Sequence, residues 1–250
     1  MTPYRYPRRI VAHRGGGTLA PENTLAGLRE AHRRGFGAVE FDVMLAAQEA
    51  PVLMHDDTLE RTTNGRGAVP DSTAAQLARL DAGAWRDQAF AGEPVPDFDA
   101  AATLCRKLGL FCNVEIKPWA PGGEVVAART GELVAAACAR LWRQAPAGVL
   151  LSSFSATALA AARASAPQVP RAYLFDDVPP NWRDELGRLE CVALHCNANK
   201  LTAGTAQAIK AGGFGLMCWT VNDTALADTL FGWGVDAICT DRLDLFAGKG

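Results

Sequence analysis

Three observations in this 250-residue chain predict an α/β fold of one architecture, the TIM (β/α)8 barrel. Eight short β-branched or apolar runs recur along the whole sequence. Alanine-rich segments with helical spacing lie between them. No G-x-G-x-x-G turn follows the first run, where a doubly wound sheet would place its ligand site; the chain reads His13-Arg-Gly-Gly-Gly17 there. Strict alternation implies parallel strands joined by right-handed crossovers, and eight of them close on themselves.

In chain order, a strand at 9–14 leads to a helix at 23–34, opened by Asn23 or Thr24 and closed before Gly35. A second strand covers 38–44. A helix at 98–108, stopped by Gly109, precedes the third strand at 110–117. A helix at 123–143 and a strand at 148–154 follow, then a helix at 155–165 with Ser155 as its cap and a strand at 171–175. The remaining units are a helix at 181–188 with a strand at 191–195, and a helix at 202–212, ended by Gly212, with a strand at 215–221. A helix at 224–233 leads to the last strand, 237–240. Only residues 242–250 are left for the eighth helix, so it must be short.

One interval breaks the rhythm. About forty residues, from Met54 to Asp97, separate the second strand from the helix before the third, where a βα loop usually has ~2–6. The interval holds a turn signal, Asn64-Gly65, a short helix-like piece over 72–80 and a proline-rich exit, Glu93-Pro-Val-Pro96. Within a single domain spanning 1–250, this insertion (about 57–97) falls at the C-terminal mouth, where barrels keep their active sites. It either decorates the mouth or caps it and shapes the substrate pocket; a cap is the expectation.

Composition narrows the function. The chain is 49% hydrophobic and 21% charged, which excludes extensive disorder. Its 25 basic and 27 acidic residues leave a net charge of −2, so no cationic excess exists to hold nucleic acid or an anionic membrane. A small-molecule substrate is the expected partner; oligomeric state is not legible. Seven cysteines (105, 112, 138, 191, 196, 218, 239) are scattered without a C-x-x-C pair, which suits free thiols in a reducing cytosol better than disulfides or zinc. The segment from Met1 to Arg9 lacks the apolar stretch of a secretory signal, so a cytoplasmic location is expected. The uncharged run from Gln144 to Ala162 contains Pro146, Gly148 and several hydroxyl residues, and reads as loop, strand and helix start, with no membrane insertion.

Charged residues occur where a barrel should have none. In Val39-Glu-Phe-Asp-Val43 the side chains alternate, so Glu40 and Asp42 share one face and the apolar residues the other. Neither face of a barrel strand meets bulk water. The apolar set belongs against the helices, which sends both carboxylates inward. Asn113, Glu115 and Lys117 repeat this pattern on the next strand. Three converging carboxylates suit a hard divalent cation, Mg2+ or Ca2+. Lys117 alone would neutralise only one of them.

His13 and His55 end strand-like runs at the same mouth, as expected of an acid–base pair. The other reading makes them transition-metal ligands. Arg14 and Lys117 add cations suited to a phosphoryl group, and Lys117 is one of only 5 lysines. Trp219, in Cys218-Trp-Thr-Val-Asn222, is either core or an apolar wall for the substrate, and Thr240-Asp241-Arg242 closes the rim.

His13-Arg-Gly, Pro21-Glu-Asn-Thr24, Glu40-x-Asp42, His55-Asp56, Glu115-x-Lys117, Trp219-Thr-Val-Asn222 and Thr240-Asp241, in this order, resemble the glycerophosphodiester phosphodiesterase family in its short cytoplasmic bacterial form. The resemblance covers residues 10–241. It implies a TIM barrel with a small insertion after the second strand. It also implies a divalent cation on Glu40, Asp42 and Glu115, with His13 and His55 as general base and acid in an order left open. Arg14 and Lys117 would hold the phosphate of a glycerophosphodiester. The implied chemistry is attack of the free glycerol hydroxyl on phosphorus, then opening of the cyclic phosphate by water to give sn-glycerol 3-phosphate. Two positions depart from the family pattern: Ala46-Ala-Gln-Glu-Ala50 replaces a turn that usually carries Asp-Gly, and Leu243 stands where proline is common. The alternatives are a barrel phospholipase of C or D type, which needs a membrane-facing rim, and a barrel that binds phosphodiesters without cleaving them.

Overall fold

The computed structural model describes residues 4–247; the ends of the expected domain, 1–3 and 248–250, lie outside the described residues. In chain order the elements are β1 (Ile10–Ala12), α1 (Leu25–Arg33), β2 (Ala38–Leu45), β3 (Pro51–Leu53), α2 (Ala74–Leu77), α3 (Phe98–Leu108), β4 (Phe111–Ile116), α4 (Gly123–Leu141) and β5 (Val149–Ser153). They continue with α5 (Ala156–Ser165), β6 (Arg171–Phe175), α6 (Trp182–Leu189), β7 (Ala193–Asn197), α7 (Ala203–Ala211), β8 (Gly215–Trp219), α8 (Thr224–Gly232), β9 (Ala237–Thr240) and α9 (Leu243–Phe246). Eight strands run parallel in the order β1-β2-β4-β5-β6-β7-β8-β9, and the pairing of β1 with both β2 and β9 closes the ring.

Alternation along each strand sorts side chains between two cores. Val39, Phe41 and Val43 of β2 face outward and pack with Leu28, Phe98 and Ala101 of the surrounding helices. Burying a side chain such as Phe41 or Leu28 completely contributes roughly 1.5–3 kcal/mol. The inward positions form a layer toward the N-terminal ends of the strands, with Val11, Ala38, Phe111, Leu150, Ala172, Ala193, Met217 and Ala237. Tyr4 and Tyr6 pack against this layer, and the Tyr6 hydroxyl lies 2.7 Å from Nε2 of the fully buried His195. Further along the same inward faces stand Glu40 and Asp42, level with Asn113 and Glu115 of β4. The barrel interior therefore passes from apolar at one end to charged at the other.

Several boundaries moved. The short apolar run before His55 is a ninth strand, β3, outside the ring and antiparallel to β2; three residues are too few to show a period. The glycine-free turn that joins them places Gln48 and Glu49 at φ of 61° and 60°. Non-glycine residues adopt this left-handed region at a cost of roughly 1–2 kcal/mol each. Within the turn Ala46 N donates to Ala50 O at 2.8 Å, and from outside it Arg129 of α4 grips the Glu49 carboxylate at 2.6 and 2.9 Å. Thr24, not Asn23, caps α1 by accepting from Gly27 N. Gly35 and Gly109 take the left-handed conformation expected past a helix end, whereas past α7 it is Gly213 rather than Gly212. Strand β7 begins two residues later than expected because Cys191 N still bonds Leu186 O in the exit turn of α6. The helical piece of the insertion shrinks to α2, opened by a Thr73–Gln76 capping box. Around it Met44, Val52, Met54, Leu59, Val69, Leu77 and Val95 make a separate small core.

Candidate active site

All eight residues singled out in the sequence line one cavity of about 150 Å³: His13, Arg14, Glu40, Asp42, His55, Glu115, Lys117 and Trp219. Asn113, Phe154, Leu174, Met217, Thr220 and Cys239 complete its wall. His13 directly follows β1, Glu40 and Asp42 lie on β2, His55 follows β3, Glu115 lies near the end of β4 with Lys117 just past it, and Trp219 ends β8. All but Glu40 and Asp42, which stand within the long strand β2, come from the C-terminal end of a strand or just beyond it, where barrel loops assemble active sites.

The first loop is bent to meet β2. Arg14 and Asn23 both sit in the left-handed region, at φ of 49° and 54°; such conformations persist where surrounding structure over-determines them. Here Arg14 N donates to Glu40 Oε2 at 2.9 Å and Gly15 N to Glu40 O at 3.0 Å. The Asn23 amide brackets Asp42, donating to its Oδ2 at 2.8 Å and accepting from its backbone N at 3.1 Å. Gly17 is needed for close approach: a Cβ there would lie 2.3 Å from Asp241 O.

Carboxylate oxygens of Glu40, Asp42 and Glu115 come within 4.8 Å of one another. Glu40 and Asp42 are 4% and 2% exposed. Burial, then the neighbouring Asp42 charge, pushes Glu40 up to about 7 and Glu115 up to about 8. Burial works the same way on Asp42, but Lys117 and Arg14 outweigh it and hold Asp42 below its usual range. Lys117 Nζ stands 3.8 Å from Asp42 and 3.7 Å from Glu115, and Arg14 Nε 3.6 Å from Asp42. These cations settle one carboxylate and leave two acids whose pKa values are raised into the neutral range. A divalent cation among the three would let all ionise. The buried Asn113 Oδ1, without a hydrogen-bond partner, adds a neutral oxygen to the same wall. A hard oxygen donor set of this kind fits Mg2+ or Ca2+.

Both imidazoles are oriented through Nδ1. His13 Nδ1 lies 2.6 Å from Asp241 Oδ1, and His55 Nδ1 lies 2.6 Å from Asp56 Oδ1. Each Nδ1 bond leaves Nε2 as the ring's other exchangeable position. Burial lowers the His13 pKa, but the bond to Asp241 and the charge of Glu40 raise it to a net value above the ordinary one. For His55 burial, aided by Arg14 and Lys117, wins over the attraction of Asp42, and its pKa falls. The two rings thus differ in proton affinity.

Sequence reasoning quoted Glu22, Asp56, Asn222 and Asp241 within motifs without an orienting role, and it passed over Arg61 and Phe154. Asp241 is fixed by Asn222, whose amide donates to Asp241 Oδ2 at 3.1 Å and accepts from Asp241 N at 2.8 Å. Arg61, in the insertion, forks onto Asp56 at 2.6 and 2.9 Å and onto Glu22 with two bonds of 2.8 Å. Glu22 in turn accepts from Arg14 Nη1 at 2.7 Å. Phe154 stacks edge-on against Trp219, ring centres 5.5 Å apart, and the pair makes an aromatic part of the cavity wall. Only the adjacency of Asp56 to His55, and of Glu22 to Asn23, was a local signal.

The glycerophosphoryl diester phosphodiesterase family matches residues 13–245. A glycerophosphodiester phosphodiesterase of Caldanaerobacter subterraneus is 31% identical over 233 residues, which cover 93% of this chain and 93% of the relative. An Oleispira antarctica phosphodiesterase, solved in complex with its product sn-glycerol-3-phosphate, shares the fold with a TM-score of 0.86 at 34% identity, over 95% of this chain and 94% of that one. A glycerophosphodiester phosphodiesterase of Agrobacterium tumefaciens gives 0.77 at 28% identity, over 99% of each chain.

Proposed function

The chain belongs to the glycerophosphoryl diester phosphodiesterase family, and we propose that it hydrolyses glycerophosphodiesters to sn-glycerol 3-phosphate and an alcohol by metal-dependent acid–base chemistry. The observation that carries this reading is the meeting of Glu40, Asp42 and Glu115 with two Asp-anchored histidines in one cavity.

Glu40, Asp42 and Glu115 would hold Mg2+ or Ca2+, which when bound stabilises the negative charge that builds on the phosphoryl oxygens. Arg14 presents a fork to the phosphate and Lys117 a point charge beside it. Neutral imidazole at one of His13 and His55 takes the proton of the free glycerol hydroxyl as that oxygen attacks phosphorus. The imidazolium at the other gives its proton to the departing alcohol. Their roles then reverse, so that water opens the cyclic phosphate. Asp241 and Asp56 keep each ring turned with Nε2 available. Trp219 and Phe154 offer the carbon skeleton of the substrate an apolar face. The exit from β3 supplies His55 and the insertion supplies Arg61 at the mouth of the barrel, and we assign the insertion the role of a cap within a single catalytic domain. We place the protein in the cytoplasm: its seven cysteines are free and buried, the state a reducing compartment maintains. Among the described residues no helix is long and apolar enough to cross a membrane.

The decisive assay strips the protein with a chelator and offers a panel of glycerophosphodiesters with Mg2+ or Ca2+ added back. Release of glycerol 3-phosphate should need the cation, and His13→Ala or Glu115→Gln should abolish it in a folded protein. Full activity in either variant, or after stripping, would refute the scheme.

A further inference from the structure

Cys239 lines the cavity yet has no part in the proposed chemistry. It faces into the barrel from β9, one residue before the end of that strand. Its Sγ, an imidazole nitrogen of His13 and a carboxylate oxygen of Glu40 all lie within 4.8 Å of one another. These three donors differ in kind from the oxygen set. Sulfur, imidazole nitrogen and one carboxylate are the ligands of borderline-soft ions such as Zn2+.

Two further observations favour an ion there. His13 Nδ1 is taken by Asp241 at 2.6 Å, so Nε2 is the nitrogen left to ligate, and it stands 3.8 Å from Glu40 Oε2. A carboxylate bonded to the far nitrogen of a ligating histidine is the usual outer partner of such ligands: it fixes the ring and raises its basicity. Second, tetrahedral zinc with bonds of about 2.0–2.3 Å needs donors roughly 3.4–3.7 Å apart. The His13–Glu40 pair is already close to that, and the sulfur, within 4.8 Å of both partners, has at most about 1.4 Å to travel.

We propose that His13, Glu40 and Cys239 form an inhibitory site for a thiophilic divalent cation, Zn2+ as the first case, leaving a fourth position open. The proposal rests on the roles given above to His13 and Glu40. Occupancy would take His13 out of proton transfer and draw Glu40 away from the hard-cation set, so the two ions compete through Glu40. On binding, the thiol proton of Cys239 leaves to solvent and the ion takes the thiolate; nothing is oxidised or reduced.

The test uses Co2+ as a spectroscopic stand-in for zinc in chelator-stripped full-length protein. The wild type should develop a thiolate-to-metal charge-transfer band in the near ultraviolet as Co2+ is added, and Cys239→Ser should not. Glu115→Gln, which removes an oxygen ligand outside this triad, should keep the band whether or not it turns over substrate. In the activity arm, Zn2+ should inhibit the Mg2+-supported wild type at concentrations on the order of 100-fold lower than it inhibits Cys239→Ser. Excess Mg2+ should relieve that inhibition. No charge-transfer band in the wild type overturns the proposal, as does a band that survives Cys239→Ser or equal zinc inhibition of the two proteins. If Cys239→Ser does not fold, Cys239→Ala replaces it, and the wild-type spectrum still decides. Failure of the phosphodiesterase reading would show as no turnover of any substrate, with the spectra unaffected.

Discussion

Arg61→Ala separates catalytic positioning from stability. The Arg61 side chain is 44% exposed and makes four bonds of 2.6–2.9 Å to Asp56 and Glu22. Exposed ion pairs contribute about 0.2–1 kcal/mol each, so losing both should lower the unfolding free energy by no more than about 2 kcal/mol. The catalytic cost follows from what the two carboxylates hold. Asp56 turns His55 through a 2.6 Å bond, and Glu22 holds Arg14 through one of 2.7 Å. Without the guanidinium, two carboxylates face each other unbridged, and both groups are free to shift. Displacement of a reacting group by about 1 Å costs on the order of 100-fold in rate. We expect kcat/KM for glycerophosphocholine to fall by about 100-fold, with kcat lowered through His55 and KM raised through Arg14. Arg61→Lys should recover only part, since an ammonium cannot fork onto both partners. The assay is release of glycerol 3-phosphate alongside urea unfolding of the same preparations. A kcat/KM within threefold of wild type would refute the argument. So would a loss that tracks unfolding.

Three further outcomes are expected. Burial pushes the His195 pKa down to about 3; the unfolded chain, near 6.5, therefore binds a proton that the folded one does not, and stability is full above pH 6.5 and falls as pH drops below it. Urea unfolding at pH 7.5 and 5.0 should show His195→Gln losing about 2 kcal/mol less than the wild type on that change. Gly131→Ala in α4 should lower stability by about 1–3 kcal/mol despite the better helix former, because its Cβ would lie 2.1 Å from the Ala158 carbonyl oxygen of α5; a raised Tm would contradict this. Phe154→Ala removes half of the aromatic wall without touching the reacting groups. An aromatic pair contributes about 0.5–1.5 kcal/mol, so KM should rise roughly 2- to 10-fold with kcat little changed, and an equal fall in kcat would count against the assignment.

The sequence by itself determined the class of fold and most of the cavity wall. Period-2 alternation in β2 separates Glu40 and Asp42 from Val39, Phe41 and Val43, and a closed barrel offers only one place for the charged set. Glu115 and Lys117 repeat the logic one strand away. Such patterns are legible because they are local: two or three residues of one strand carry them. The three-residue β3 was legible only as a strand-like run before His55, having no length in which a period could show.

Tertiary structure decided what orients the site. Asp241 is 228 residues from the histidine it holds, and Arg61 reaches Glu22 across 39. No spacing rule links such partners; only the closure of β1 onto β9, and the fold of the insertion against the first loop, bring them within hydrogen-bond distance. The placement of Cys239 beside His13 and Glu40 likewise needed the closed ring, since in the chain it is one of seven scattered apolar thiols. Strand alternation fixes which side chains point inward, but chain closure fixes which inward side chains meet, and on that meeting depend the proton affinities and the chemistry proposed for them.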